Sequence, residues 1–220
     1  MPIKIDFLKK KISKLELNTV FFCNGELNTG NIKKYLFKNE TTYINDLLKT
    51  SDPKKKIYIF EISSKKKIIL ILIKNNLKYS EIEKLGAELY SILNKKDKND
   101  EFLIIADSII SRENNFLGHF LHGLKLKSYE FKKYKQKKIS KLLKIKVIGE
   151  KNIPSKQNQI KFKALEEGTF FTRDLVSEPG NVLHPDEYAK RLKILKKDGL
   201  KINIFDEKKL KKFGMNSLLG

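Results

Sequence analysis

Tryptophan is absent, methionine occurs twice and cysteine once, so no disulfide can close within the chain. The lone thiol, Cys23, suits a reducing compartment and is expected to pack as a small apolar residue in a strand. No apolar run approaches the ~18 residues of a spanning helix, and the N-terminus lacks an apolar core followed by a small-residue cleavage site. These absences predict a soluble, cytoplasmic protein with no membrane partner. There is no Walker loop, GxGxxG, GxSxG elbow or Cys–His signature, which argues against the classes built on those motifs. Arginine is nearly missing: Arg112, Arg173 and Arg191 are the only ones among 47 basic residues.

What is present is lysine, giving a net charge of +21 over 220 residues. Such a charge suits an anionic partner such as DNA, but lysine spread over every solvated face raises the charge without building a site. The densest candidate is Lys125 to Lys138, KLKSYEFKKYKQKK, where Tyr129, Phe131 and Tyr134 interleave with basic residues. These aromatics do not share one helical face. A solvated lysine face is therefore favoured over a nucleic-acid surface.

Short β-branched runs alternate with amphipathic stretches, the pattern of a layered α/β domain. Strands are expected at Ile3 to Leu8, Thr19 to Cys23, Ile57 to Ile62, Ile68 to Ile73, Phe102 to Ala106 and Leu142 to Ile148. The run Ile68 to Ile73 is apolar on both faces and should lie inside the sheet. Asn24-Gly25 and Ser51-Asp52-Pro53 are turn signals. A helix over Ser80 to Leu93 is expected to open with a Ser80–Glu83 capping box and to bury Ile82, Leu85, Leu89 and Ile92. The polar LNKKDKND run after it reads as a loop. A second helix, about Asn115 to Leu124, repeats Phe116, Phe120 and Leu124 on one side. After a polar connector at Glu150 to Gln159, a helical pattern runs from about Ile160 to Val176. Pro179-Gly180-Asn181 blocks its continuation. Pro185 opens a new helix with Asp186 and Glu187 in the first turn, where the dipole favours acids. A strand over Leu200 to Phe205 and a short helix over Asp206 to Phe213, closed by Gly214, should come next. Strands across a helical crossover need partners, and roughly 40 residues seldom support a core. The C-terminal part is expected to be truncated.

Two groups of polar residues are candidates for chemistry. His119 and His122 share a helical face at i, i+3, but no Cys or HExxH pattern supplies further zinc ligands. Asp174, Glu178, His184 and Asp186 lie within a short span and could gather around a cation. Asp174 and Glu178 sit near a helix end, where acids oppose the dipole, so Arg173 or a neighbouring lysine is expected to compensate them. For both groups the favoured reading is local packing and hydrogen bonding rather than a metal.

The run from Arg173 to Pro185, RDLVSEPGNVLHP, resembles the RDLVNEPGNxLTP pattern of the cytosolic leucyl aminopeptidases. Phe213 to Gly220, FGMNSLLG, is similar to that family's LGMGxLLGV, and His122-Gly123-Leu124 through Tyr134-Lys135 looks like its EGLLLGSYRFDRYK block. Ser177 stands where the family has Asn, and His184 where it has Thr, a weaker N-cap. The resemblance implies an N-terminal macro-domain-like mixed sheet with flanking helices, a linking helix, and a truncated start of an α/β metallopeptidase domain. It divides the chain into 1–151, 152–179 and 180–220. It further implies a cytoplasmic exopeptidase releasing N-terminal residues, preferably leucine, from peptide substrates with two divalent metals, Mn or Zn, in a homo-hexamer. The family's metal ligands and catalytic residues correspond to positions beyond Gly220, so no catalytic, cofactor or metal residue is assigned and the chain alone is expected to be inactive. A non-catalytic DNA-binding or assembly module is the alternative. A nucleotide-ribose binder lacks its Gly-rich loop.

Overall fold

The computed structural model describes residues 3–8, 17–25, 29–94, 101–111, 113–135 and 142–219. They fall into two compact units, Met1–Phe170 and Phe171–Gly220. Most of the polar run after Leu93 and the lysine-rich end of the 125–138 segment lie outside the described residues.

The first unit is built on a six-stranded sheet in the order β1-β6-β5-β2-β4-β3. The strands are β1 (Ile3–Leu8), β2 (Thr19–Asn24), β3 (Ile57–Glu61), β4 (Lys67–Ile73), β5 (Glu101–Ile105) and β6 (Leu143–Ile148). All pairings are parallel except β3 with β4, so β3 is an antiparallel end strand. The six strands match the apolar runs to within a residue at either end. β4 is buried on both faces: Ile69, Ile71 and Ile73 enter one apolar cluster, while Ile68, Leu70 and Leu72 enter the other. Those side chains alternate because successive Cβ atoms point to opposite sides of a strand.

Helices α2 (Tyr79–Leu93) and α3 (Phe116–Lys127) cover one face, contributing Ile82, Leu85, Leu89, Phe120 and Leu124 to its core. The other face is covered by α1 (Lys38–Lys49), through Ile44 and Leu48. Sequence periodicity did not single out α1, because Thr41, Thr42, Asn45 and Asp46 dilute its apolar stripe. A buried Glu40–Lys66 ion pair ties it to the β3–β4 turn.

α2 starts one residue before the expected capping box. Its N-cap is Lys78, and Glu81 rather than Glu83 reaches back, accepting from the Lys78 N–H at 2.8 Å. Tyr79, now the first helical residue, stacks on His119 with ring centroids 4.1 Å apart, a contact that favours the earlier start. Glu83 is thereby freed to meet α3.

Helix α4 (Lys156–Ser177) begins four residues earlier than its apolar spacing suggests, within the polar connector. Ser155 explains this: its Oγ accepts from the Asn158 N–H at 3.2 Å, a side-chain N-cap that periodicity ignores. In the second unit, α5 (Pro185–Ile194) carries Pro185, Asp186 and Glu187 in its first turn as expected. α6 (Glu207–Lys212) is capped by Asp206, which accepts from the Lys209 N–H at 2.9 Å. Leu200 to Phe205 forms no strand. A strand exists by pairing, and among the described residues this segment has no partner strand.

Candidate functional site

Both histidines of α3 face a polar seam in the first unit. His119 Nδ1 donates to Glu83 of α2 at 3.1 Å, its ring lying against Tyr79 and edge-on to Phe162 of α4. His122 also lies against Phe162, its ring tilted, with Nδ1 3.5 Å from Glu166 Oε1. That approach is not aligned as a hydrogen bond, and His122 Nδ1 is buried without one. Glu166, 3% exposed, instead accepts from Lys125 Nζ at 2.8 Å. Its position is legible only in hindsight: Phe162, Glu166 and Phe170 recur at i, i+4 and i+8, so an acid occupies the buried stripe of α4. A buried carboxylate requires a paired cation, and Lys125, one turn beyond His122 on α3, supplies it. The seam positions α4 on the sheet unit, aided by Gly118, where an added Cβ would stand 2.5 Å from the Phe162 ring.

The second candidate cluster is a braced turn in the second unit. Val182 and Leu183 both donate backbone N–H to Pro179 C=O at 2.9 Å, and Tyr188 N–H donates to His184 C=O, closing the first turn of α5. His184 occupies the N-cap without a side-chain capping bond. Glu178 is paired with Arg191. Its side chain is 1% exposed and accepts from Arg191 Nη1 at 2.8 Å, while Arg191 Nε donates to Glu187 at 3.1 Å. These hydrogen bonds, Glu178 first, hold the guanidinium's pKa above its usual value. Glu187 and Arg191 are legible as an i, i+4 pair; the reach from Arg191 back across the turn to Glu178 is not.

Neither cluster collects cation ligands. Among the described residues no three His, Cys, Asp or Glu side chains are grouped to hold a metal ion. In the lysine-rich segment, Tyr129 packs on Phe170, Phe131 meets Tyr134, and Lys132 pairs with Glu130, while Tyr134 stays exposed. Cys23 is buried in β2, as expected, and burial pushes its thiol pKa up to about 12.

The decisive match covers the braced turn and the remainder of the second unit. Residues 170–220 match the model of the cytosol aminopeptidase family, catalytic domain. The chain belongs to the cytosol aminopeptidase family. A probable cytosol aminopeptidase of Sinorhizobium medicae is 38% identical over 108 residues, 46% of this chain and 22% of that protein. One from Dinoroseobacter shibae is 34% identical over 153 residues, covering 70% of this chain and 30% of the relative. In fold, a mutant of tomato leucine aminopeptidase superimposes with a TM-score of 0.69 at 17% identity, over 96% of this chain and 46% of that one. The α/β architecture expected of the cytosol aminopeptidase family is thus the one observed. The chain spans less than half the length of these relatives. None of its described helices is long and apolar enough to cross a membrane.

Proposed function

We propose that this chain carries the N-terminal part of a leucyl aminopeptidase, an exopeptidase that releases N-terminal residues, preferably leucine, from peptides. The observation that carries the reading is the catalytic-domain match over residues 170–220. Identity extending over 70% of the chain to a probable cytosol aminopeptidase supports it. In this reading residues 1–151 are an N-terminal macro-like domain, 152–179 the connector and linking helix, and 180–220 the opening of the catalytic domain. The complete enzyme is a cytoplasmic homo-hexamer. Two divalent metals, Mn or Zn, would activate water and polarise the scissile carbonyl there.

This chain's own residues do the positioning. Lys125, Glu166 and Phe162 seat the linking helix on the sheet unit, and Arg191 fixes the turn from Glu178 to Glu187. The carboxylates best placed to serve a cation are already engaged, Glu178 by Arg191 and Glu166 by Lys125, so no catalytic step is routed through them. These 220 residues alone are therefore inactive in our reading. The test is hydrolysis of leucinamide with Mn²⁺, first by the purified chain and then after adding the remaining part of a family catalytic domain as a separate polypeptide. Leucine release is expected only in the mixture. Release by the chain alone, with host peptidase excluded, would overturn the proposal of inactivity.

A further inference from the structure

The sheet reverses its winding at β2. The chain leaves β2 for β3 and β4 on one side and returns through α2 to β5 on the other. In open α/β sheets such a reversal leaves a crevice at the carboxyl ends of the strands, since the flanking connections lead away from each other. Here the strands do part. The β2–β4 ladder continues to Asn24–Ile73, whereas β2–β5 pairing runs only through Thr19–Leu103 and Val20–Ile104. Beyond that point side chains take over the backbone of β2. Phe22 N–H donates to Ser108 Oγ at 3.0 Å, and Phe22 C=O accepts from Asn31 Nδ2 at 3.0 Å. Ser108 Oγ in turn donates to Ile105 C=O at 2.6 Å, and Asn31 Nδ2 also reaches Ser108 C=O at 2.8 Å. The parted ends are fixed open by these hydrogen bonds.

A cavity of about 880 Å³ lies at the ends of these strands. Lys74, Asn75 and Asn76 enter it from the end of β4, Asn24 from β2, and Ile110 and Glu113 from the segment after β5. Lys74 follows β4 and Glu113 comes in the segment after β5, the two strands that flank β2. Among the described residues neither forms an ion pair. Strands lie ~4.8 Å apart, so β4 and β5, on either side of β2, are separated by roughly 10 Å, and the cavity at their ends has room for a small molecule. Asparagine amides line the space between, and Ile110, 55% exposed, offers an apolar contact. A simple anion would meet repulsion from Glu113 and a simple cation repulsion from Lys74. Only a ligand bearing both charges complements the pair.

We propose that this crevice binds an apolar zwitterion with a free ammonium and a free carboxylate, namely an apolar amino acid or dipeptide. The carboxylate pairs with Lys74, the ammonium with Glu113, and the side chain lies against Ile110. That such molecules are also aminopeptidase products rests on the proposed function; the binding rests on the crevice alone. Isothermal titration of the whole chain with leucine and with Leu-Leu tests it, against 4-methylpentanoate, isopentylamine and a nucleoside monophosphate. Saturable binding of a zwitterion is expected, weakened roughly tenfold or more by Lys74→Gln, by Glu113→Gln and by removal of either charged group of the ligand. Lys74 is exposed and Glu113 half-buried, and unchanged melting temperatures would verify that the variants fold. No saturable binding of either zwitterion below ~10 mM, binding unaltered in both variants, or tighter binding of the nucleoside monophosphate would overturn the proposal. None of these outcomes depends on peptidase activity.

Discussion

Replacing Gly123 with alanine is expected to destabilise the sheet unit, although alanine is the better helix former. Gly123 of α3 lies against the backbone of α2: a Cβ there would stand 1.9 Å from Glu83 O and 2.5 Å from its carbonyl carbon and Cα, where ordinary contact begins at 3.4 Å. Gly86 of α2 makes the reciprocal approach, its Cβ falling 1.9 Å from Phe120 O. Because the obstacles are backbone atoms, no rotamer change relieves the overlap, and the two helices must separate. Overpacking of this kind costs up to ~3 kcal/mol or more, while alanine's helix propensity returns ~1 kcal/mol. The net loss is about 2 kcal/mol, or ~4–8 °C in melting temperature for a domain of this size. Gly168, exposed on α4 with nothing within 4 Å of its missing Cβ, is the control. There the same substitution should stabilise by up to ~1 kcal/mol. Circular-dichroism melts of the two variants beside the parent decide the matter. A Gly123→Ala protein melting at or above the parent would refute the close-approach argument.

Glu166→Ala should lower stability by about 2 kcal/mol in urea titrations, less than for a fully buried pair because Lys125 is partly exposed. Adding Lys125→Ala should then cost less than it does alone, since its partner is already gone. Arg191→Ala should speed amide hydrogen exchange across residues 178–191, and Arg191→Lys should restore protection only in part, because one ammonium cannot reproduce the two directed bonds to Glu178 and Glu187. Cys23, with its folded pKa pushed up to about 12, keeps its proton in the folded state while the unfolded chain releases it at ordinary thiol pH. Its contribution to stability is therefore complete below about pH 8.5 and is lost as pH rises from there toward 12, at ~1.4 kcal/mol per pH unit. A Cys23→Ala variant should show a shallower alkaline decline in its urea midpoints, and an identical slope would count against this.

Strands were legible because burial on both faces leaves a nearly unbroken apolar run, as in Ile68 to Ile73. Helices were legible in proportion to their stripe: α2 shows one clearly, and α1 does not, because only Ile44 and Leu48 of its length are buried apolar residues. End positions depended on single contacts that periodicity does not encode, such as Tyr79 on His119 and Ser155 capping α4. The apolar alternation of Leu200 to Phe205 predicted a strand, yet pairing is not a property of a segment alone. Of the candidate clusters, the i, i+3 and i, i+4 relations could be read along the chain. The partners across α3 and α4, and across the Glu178–Arg191 turn, required the fold.

The antiparallel strand β3 ends the sheet with five residues, and among the described residues no further strand joins its outer side, while Ile59 is exposed. An open edge of this kind is a template on which a second molecule can add a strand. Lys54, Lys55 and Lys56 precede it and Lys65 comes after it, all exposed. Part of the lysine excess thus acts as colloidal protection, repelling an approaching copy at both ends of the edge. The protection is electrostatic and so has a range: at 0.1 M salt it reaches ~10 Å and at 1 M only ~3 Å. Concentrated salt, which leaves the buried core untouched, is accordingly the condition under which this protein loses its guard against edge-to-edge assembly.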